Sequence, residues 1–382
     1  MKFSIIGPAY PLRGGIAHHA YRLRQELIAR GHRVQVISFR KLYPSLFFPG
    51  TTETDASKLR LDAEAQAILA PLNPATWIEA IKEVKAFAPH AAVFQWWQPF
   101  FAPMVATLAR ALGKSGIRRI IECHNVFPHE ASPLDRLLLK LAFSNADRFI
   151  THSKKDRELL AKLVDERRIA VCSLPALDEF RAPGKGERSG RRILFFGKVR
   201  KYKGLSVLLE AMPKVLSEIE VELLIAGEFY DSIDKYQRLI GELGIESSVR
   251  IDNRYIPNEE VAGLFEQADL LVLPYVTASQ SGVARIAFSN ALPIIASDAG
   301  GLSETVIENV NGLLFSARDS NALASKIVSY FADNLGPRFA GNLRAMSEDD
   351  SQGAIIRAIE EAAESRSFST GRSAPECDEP LG

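Results

Sequence analysis

The apolar and polar positions of this chain alternate between two spacings. Short apolar runs at Phe3 to Ile6 and Val34 to Phe39 indicate buried strands, and Ile16 to Arg30 between them indicates a helix that ends before Gly31. The second half repeats the alternation, beginning with the apolar run Arg192 to Phe196. Alternating strands and helices predict doubly wound α/β domains, in which ligands bind beyond the carboxyl ends of the strands.

The length of the chain favours two domains. At 382 residues it exceeds one ordinary hydrophobic core. We expect a first domain over residues 1–180, a linker over 181–190 and a second domain over 191–340. A C-terminal helix over 341–365 is expected to pack back toward the first domain, and the polar residues 366–382 to form a disordered tail.

Composition and charge exclude several classes of protein. A net charge of +1, from 47 Lys and Arg against 46 Asp and Glu, is too even for a general nucleic-acid binder. The 3 cysteines are far apart and indicate neither a disulfide framework nor a zinc site. The first apolar run is too short for a secretory signal, and no stretch approaches the about 18 apolar residues of a membrane span. We therefore expect a cytoplasmic protein, with peripheral contact at the inner face of the membrane left open.

The loop after the strand Arg192 to Phe196 is the main candidate for a binding site. Gly197 and Gly204 bracket four cations, among them Lys198 and Lys203, before a helix begins. The first N–H groups of a helix lack intrahelical partners, and the helix dipole favours negative charge there. The two lysines can therefore close on a diphosphate from two sides. The alternative is that these cations are solvated surface charges.

Other loops carry polar groups at the same edge of the predicted sheets. Ser281-Gly282 and Gly300-Gly301 each precede a helix and offer backbone N–H donors. Gly14-Gly15 follows the first strand, but the loop is not G-x-G-x-x-G and no acidic residue ends the second strand, which argues against a dinucleotide site. His124 follows the strand Arg119 to Cys123, where both a structural role and a ligand contact remain open.

Three further segments are candidates for functional contacts. Residues 41–73 are expected to be irregular, and a long loop within a compact domain is often functional. The aromatic segment Trp96 to Phe101 is interpreted as core, with an acceptor pocket or a membrane-facing lip as the alternative. Leu134 to Ser144 predicts an apolar helix bearing Arg136 and Lys140, which either packs on the core or lies on an anionic membrane.

Several of these motifs resemble the retaining glycosyltransferases of the GT-B fold, family 4, over nearly the whole chain. The motif residues are Gly14-Gly15-Ile16, Phe196-Gly197-Lys198 with Lys203-Gly204-Leu205, Ala268-Asp269-Leu270-Leu271-Val272-Leu273-Pro274, Gly300-Gly301-Leu302-Ser303-Glu304 and Gly312-Leu313-Leu314. They look like the family's glycine loop near the transferred sugar, its G-[RK]-x4-K-G pair on the donor diphosphate, its A-D-x-x-V-x-P strand and its G-G-x-x-E turn. His124 falls where the family has a histidine near the sugar.

The resemblance implies an α/β protein of two facing Rossmann-like domains with an inter-domain cleft. It also implies a sugar nucleotide in that cleft and transfer with retained configuration, without an obligatory metal. The chain departs from the family at E-x7-E, because Ser279 and Ala287 stand where the two glutamates bind the donor sugar and its ribose. Gln280 or Ser281 can supply neutral hydrogen bonds instead, and the N–H groups of Gly282 and Val283 can reach a phosphate.

The predicted function is sugar transfer from a nucleoside diphosphate sugar to a carbohydrate or lipid-linked acceptor, in the synthesis of surface polysaccharide or glycolipid. No cofactor, metal or nucleic acid is expected to take part. The predicted catalytic residues are His124, Lys198 and Lys203. The predicted substrate-binding residues are Gly14, Gly15, Gly197, Glu228, Tyr255 (near the base), Gln280, Ser281, Gly282, Val283 and Glu304.

Three alternatives remain open. A sugar-nucleotide epimerase of the same fold needs acid/base residues, for which His124, Glu228 and Glu304 are the candidates. A binding scaffold without turnover is motivated by Ser279 and Ala287. A phosphate-binding regulator is the third, although it does not explain two α/β domains.

Overall fold

The computed structural model describes residues 1–43, 52–127, 133–184, 190–346 and 351–364. The chain divides into two compact units. Unit 1 comprises Met1–Ala56, Arg60–Leu174 and the segment from Asp350 onward, whereas unit 2 comprises Ser57–Leu59 and Pro175–Asp349. The division therefore falls at Leu174, a few residues before the expected linker at 181–190, of which residues 185–189 lie outside the described part.

Unit 1 contains a seven-stranded parallel sheet. Its strands are β1 (Lys2–Ile6), β2 (Arg33–Phe39), β3 (Gln66–Leu69), β4 (Ala91–Trp96), β5 (Arg118–Cys123), β6 (Arg148–Thr151) and β7 (Ile169–Val171). They lie in the order β3-β2-β1-β4-β5-β6-β7. Every residue of β4 is buried, as expected of a parallel strand covered by helices on both faces.

Helices connect the strands of unit 1 and cover its sheet. They are α1 (Gly15–Ala29), α2 (Pro74–Phe87), α3 (Ala102–Gly113), α4 (Pro133–Phe143) and α5 (Lys154–Ala161). Asn73 caps α2 by accepting a hydrogen bond from Ala75 N, and Ser153 caps α5 by accepting one from Asp156 N. This strand–helix alternation brings the carboxyl ends of β1, β4, β5 and β6 to one edge of the sheet.

Unit 2 repeats the architecture with a six-stranded parallel sheet. Its strands are β8 (Arg192–Phe196), β9 (Glu222–Ala226), β10 (Val249–Asp252), β11 (Leu270–Leu273), β12 (Ile294–Ser297) and β13 (Gly312–Phe315), in the order β10-β9-β8-β11-β12-β13. Its helices are α6 (Leu205–Glu218), α7 (Ile233–Leu243), α8 (Asn258–Gln267), α9 (Gly282–Ser289), α10 (Leu302–Thr305), α11 (Ser320–Ala332) and α12 (Gly336–Ala345).

The last described helix, α13 (Ser351–Glu364), belongs to unit 1. It lies against α1 and near β4, β5 and β6. Ile355, Ile356 and Ile359 are fully buried there, in one cluster with Phe3 and Ile5. The segment expected as one helix over 341–365 is instead shared between α12 in unit 2 and α13 in unit 1.

Two other expectations need correction. Residues 41–73 are not irregular throughout, because Gln66–Leu69 forms the edge strand β3; this strand is short and half exposed, so its apolar pattern is weak. The sequence pattern also misses α12, which begins at Gly336-Pro337, since proline at a first helical position resembles a breaker. Residues 44–51 of the loop and the predicted tail 366–382 lie outside the described residues.

No helix among the described residues combines the length and the apolar character required to cross a bilayer.

Candidate functional site

The loop between β8 and α6 is shaped by glycines that no other residue can replace without strain. Gly197 has φ 96° and Gly204 has φ 69°, both in the region that favours glycine. A Cβ on Gly204 would lie 1.9 Å from the carbonyl oxygen of Pro274, directly after β11. The loop is thus packed against the end of the neighbouring strand, which fixes where α6 begins.

Lys203 is buried in this loop, with only 7% of its surface exposed. Its Nζ lies 3.1 Å from the position that a Cβ would take on Gly197 and 5.5 Å from the ring centre of Tyr275. Burial lowers the pKa of Lys203, and nearby Arg200 lowers it further. Within the described residues the ammonium has neither an ion pair nor a hydrogen bond. A buried cation in that state is costly for the folded protein, so a negatively charged ligand would relieve the cost.

The first turn of α9 borders the same point. The Cγ2 atom of Val283 lies 3.6 Å from the Cβ position of Gly197, so Lys203 and α9 both flank this glycine. Ser281 is the N-cap: its buried Oγ accepts a hydrogen bond from Ala284 N and lies 3.4 Å from the hydroxyl oxygen of Tyr275. The structure therefore brings Gly197, Lys203 and Val283 together and uses the Ser281 side chain to cap the helix. Ligand binding by these residues stays a prediction.

Lys198 has different neighbours from Lys203. It is half-buried, and its Nζ lies 5.4 Å from the ring centre of Tyr230, whose face is shared with the guanidinium of Arg200 at 4.6 Å. Glu228 is buried nearby, and its carbonyl accepts a hydrogen bond from Val199 N. The ammonium of Lys198 thus lies over the ring of Tyr230, whereas that of Lys203 lies over the ring of Tyr275. A diphosphate contact by Lys198 stays a prediction.

The Gly300-Gly301 turn packs on the segment before α9. Cβ atoms on Gly300 and Gly301 would lie 1.6 Å from the carbonyl oxygen of Ala278 and 2.1 Å from that of Ser279. The carboxamide oxygen of Gln280 accepts a hydrogen bond from the Thr305 hydroxyl at 3.1 Å, so that oxygen is already engaged. These contacts hold the loop before α9 against the start of α10.

The remaining predicted residues of unit 2 lie at its surface or in its core. Glu304 is exposed in the first turn of α10, and Tyr255 is half-buried beyond β10. Ala287, where the resemblance predicted a glutamate to be missing, is fully buried within α9. Its methyl group therefore makes core contacts, and a ribose contact from this position is not available.

In unit 1 the predicted glycine pair opens α1. Gly14 has φ 129° and stands just before the helix, and its carbonyl accepts hydrogen bonds from the N–H groups of Ala17 and His18. A Cβ on Gly15 would meet no atom within 4 Å. The preceding Arg13 is tied by its N–H to the carbonyl of Glu53. The loop is thus held on one side and open beside Gly15.

His124 belongs to a cluster that sequence reasoning missed. His19 from α1, Gln95 from β4, Glu122 from β5 and His152 after β6 surround it. Nε2 of His19 lies 2.8 Å and Nε2 of His152 lies 3.4 Å from Oε1 of Glu122. The available signal was Glu122 itself, a charged residue within the apolar strand Ile120-Ile121-Glu122-Cys123, since a buried charge requires partners.

Burial and the neighbouring histidines shift the pKa of Glu122 in opposite directions. Burial would raise the pKa of Glu122, but His19, together with His152 and His124, lowers it well below its usual range. Burial and the proximity of His19 lower the pKa of His124. Glu122 is therefore ionised and His124 neutral at pH 7.

Three members of the cluster are also of the type that can bind a metal. Ligating atoms of His19, Glu122 and His124 all lie within 4.8 Å of one another. Nε2 of His19 lies 2.8 Å from Oε1 of Glu122, and Nε2 of His124 lies 2.5 Å from Oε1 of Gln95. The contact with Gln95 accounts for Nε2 of His124, whereas Nε2 of His19 and Oε1 of Glu122 are close without the geometry of a hydrogen bond.

Two family models match the chain, one in each unit. Residues 13–174 match the model described as Glycosyltransferase Family 4, and residues 190–333 match the model described as Glycosyl transferases group 1. Both units are thus glycosyltransferase domains of the GT-B fold, each with a Rossmann-like parallel sheet.

Individual relatives agree with this assignment. The chain is 29% identical over 189 residues to a D-inositol 3-phosphate glycosyltransferase of Corynebacterium glutamicum, covering 44% of the chain but only 45% of that relative. It is 22% identical over 366 residues to N-acetyl-alpha-D-glucosaminyl L-malate synthase of Bacillus anthracis, covering 88% and 91%. Its fold matches that of Anabaena HepE in complex with UDP with a TM-score of 0.73 at 16% identity, over 95% of this chain and 99% of that one.

Proposed function

We propose that this protein transfers a sugar from a nucleoside diphosphate sugar to an acceptor hydroxyl, with retention of configuration. The observation that carries the proposal is the buried ammonium of Lys203, which has no anionic partner in the described part of the chain. It borders Gly197 and the first turn of α9, where backbone N–H groups also favour an anion. A diphosphate matches this combination of a fixed cation and helix N–H donors.

The chemistry requires such a site. When the bond between the anomeric carbon and the diphosphate oxygen breaks, negative charge develops on the diphosphate and positive charge on the sugar ring. Fixed donors that face the leaving group stabilise this transition state more than the bound donor. Lys203, the N–H groups of Gly282 and Val283, and Lys198 as a second cation would supply that stabilisation.

We propose front-face attack by the acceptor. The acceptor oxygen forms the new bond to the anomeric carbon as the diphosphate leaves, and the acceptor proton passes to a diphosphate oxygen, so no carboxylate nucleophile and no metal is needed. His124 would contact a sugar hydroxyl, and the Gly14-Gly15 turn would lie beside the transferred sugar. Gln280 would bind the donor sugar through its amide nitrogen, with Glu228, Glu304 and Tyr255 as further substrate contacts.

The donor and acceptor classes are part of the proposal. A uridine nucleotide is supported by the fold shared with Anabaena HepE, whose structure contains UDP. The names of the relatives indicate hydroxylated acceptors, inositol phosphate and malate. We favour a carbohydrate or lipid-linked acceptor in surface polysaccharide or glycolipid synthesis, because α4 exposes apolar side chains beside two cations. Leu134, Leu137 and Leu141 are 60%, 65% and 46% exposed.

Two experiments test the proposal. A thermal-shift screen of nucleoside diphosphate sugars should give a rise for one donor, because a ligand at about 100 times its Kd adds roughly 2.7 kcal/mol of stability. Lys203→Ala should abolish that rise, whereas Lys201→Ala, an exposed lysine in the same loop, should preserve it. Equal responses of both variants and the unaltered protein would overturn the assignment of Lys203.

Product analysis separates the alternatives. Incubation with the donor and a panel of acceptors should yield a glycoside with the donor's anomeric configuration. A changed sugar nucleotide formed without acceptor would instead identify an epimerase. Tight donor binding without transfer or hydrolysis would identify a binding scaffold.

A further inference from the structure

A hydrogen-bonded chain of three side chains leads from a buried carboxylate to His124. The amide nitrogen of Gln95 donates to Oε2 of Glu122 at 2.8 Å, and Oε1 of Gln95 lies 2.5 Å from Nε2 of His124. Glu122 and Gln95 are 0% and 3% exposed, so water does not substitute for these contacts. This chain of hydrogen bonds runs across adjacent parallel strands, because β4 pairs with β5 and places Gln95 opposite Glu122.

The carboxylate determines which way the amide of Gln95 points. An ionised carboxylate only accepts hydrogen bonds, so the NH2 group of Gln95 has to face Glu122. The flipped amide would bring two acceptor oxygens together in a buried site, leaving both without a donor. Oε1 of Gln95 must therefore face His124.

Gly7 helps to hold Gln95 in this position. A Cβ on Gly7 would lie 2.6 Å from both Cβ and Cγ of Gln95. The backbone at the end of β1 thus approaches the Gln95 side chain as closely as glycine permits, and the stem of Gln95 has little freedom to move away from the chain of hydrogen bonds.

The same logic then determines the tautomer of His124. An amide oxygen accepts but does not donate, so the nitrogen facing it must carry the proton. In a neutral imidazole one nitrogen is protonated and the other accepts, and a proton on Nε2 makes Nδ1 the acceptor.

We propose that Glu122 and Gln95 are positioning residues that hold His124 as its Nε2–H tautomer, with Nδ1 as the acceptor nitrogen of the ring. Any role of this tautomer in sugar binding rests on the proposed function, whereas the tautomer itself is a property of the protein alone. Glu122 acts through Gln95 and is not itself in contact with His124 in this chain of bonds.

The test is nitrogen NMR of the full-length protein labelled with 15N-histidine and free of ligand. The protein has 7 histidines, and a His124→Gln variant assigns the His124 signals. At pH 7.5 the unaltered protein should show His124 protonated at Nε2 alone. Protonation at Nδ1 alone, or at both nitrogens, would overturn the proposal.

Two variants test whether this chain of hydrogen bonds fixes the tautomer of His124. Glu122→Gln keeps the shape but allows either orientation of the Gln95 amide, and Gln95→Met keeps the length but removes both hydrogen bonds. Each should produce a measurable fraction of the Nδ1–H tautomer. An unchanged His124 spectrum in a folded variant, as judged by circular dichroism, would refute the causal role. If Glu122→Gln does not fold, Gln95→Met still decides, because it leaves the ion pairs of Glu122 in place.

One control separates this proposal from metal binding. Nitrogen shifts that change on addition of EDTA or Zn²⁺ would show a metal ligand at His124 and would overturn the tautomer assignment. Because the spectra require no substrate, a protein without transferase activity would refute the proposed function and leave the tautomer result intact.

Discussion

The ammonium of Lys203 lies 3.1 Å from the point where a Cβ would stand on Gly197. This distance places a buried cation against a glycine six positions earlier in the chain, with Cγ2 of Val283 in α9 3.6 Å from the same point. Both flanking elements are fixed by packing: Gly197 N–H donates to the carbonyl of Ala226, and Gly204 fits against Pro274. The cation is therefore held in place before any ligand arrives, which reduces the cost of ordering it on binding.

Gly197→Ala should weaken donor binding more than it weakens the fold. The new methyl group would press on Nζ of Lys203, and the positive φ would lower the free energy of unfolding by about 1–3 kcal/mol. The matched control is Gly244→Ala, since Gly244 has φ 65° with no atom within 4 Å of its Cβ position. Denaturant unfolding and donor titration of both variants check this. Equal losses of donor affinity would contradict the prediction.

Lys203→Met should stabilise the ligand-free protein while it removes donor binding. Methionine keeps most of the buried stem and removes an unpaired charge, and leaving a buried polar group unsatisfied costs about 1–3 kcal/mol. We therefore expect a gain of similar size in the free energy of unfolding, measured in urea. Lys201→Met, at an exposed position of the same loop, should change neither quantity. A destabilised Lys203→Met protein would show that the ammonium has a favourable partner.

Stability should fall as the pH is lowered, in two steps. The pKa of His124 is lower in the folded protein than its ordinary 6.5, so the unfolded chain binds more protons below pH 6.5 and gains relative stability. The pKa of Glu122 is likewise lowered in the fold, and the stability it contributes is lost as the pH falls below its ordinary 4.5. Each group changes the free energy of unfolding by at most about 1.4 kcal/mol per pH unit.

Urea unfolding between pH 7.5 and 4 measures these steps. His124→Gln should flatten the dependence between pH 6.5 and 5, and leave the step below pH 4.5. Glu122→Gln should remove the lower step. A pH profile that is the same in His124→Gln as in the unaltered protein would mean that another group causes the upper step.

The exposed face of α4 should bind anionic vesicles. Leu137 and Leu141 lie one turn apart on this face, beside the exposed cations Arg136 and Lys140. Replacing both leucines by Gln should reduce co-sedimentation with vesicles of anionic lipid by about tenfold or more, given about 25 cal/mol per Å² of buried apolar area. Ile78→Gln, an exposed apolar residue on α2, is the control and should have no effect. Absence of binding by the unaltered protein would refute membrane contact.

Local sequence patterns predicted most of the fold. The strand Arg192–Phe196 has the expected bounds, and the strands Lys2–Ile6 and Arg33–Phe39 begin one residue before the expected positions, because apolar runs and their flanking residues are local signals. The aromatic segment was ambiguous and is divided: Trp96 and Phe101 are in the core, whereas Phe100 is 38% exposed. The helix at Leu134 is divided in the same way, with Leu139 and Phe143 buried and Leu137 exposed.

The amino-acid sequence by itself determined the loop from Gly197 to Gly204, since glycine, lysine and a following helix start are all readable in order along the chain. Only the tertiary structure decided that Lys203 is buried and lacks an anionic partner among the described residues, and that His19, Gln95, Glu122 and His152 meet around His124. These residues come from α1, β4, β5 and the end of β6, and they meet only because the parallel sheet places the ends of β4, β5 and β6 side by side. Strand order is set by long-range packing, which a local period of apolar residues does not encode.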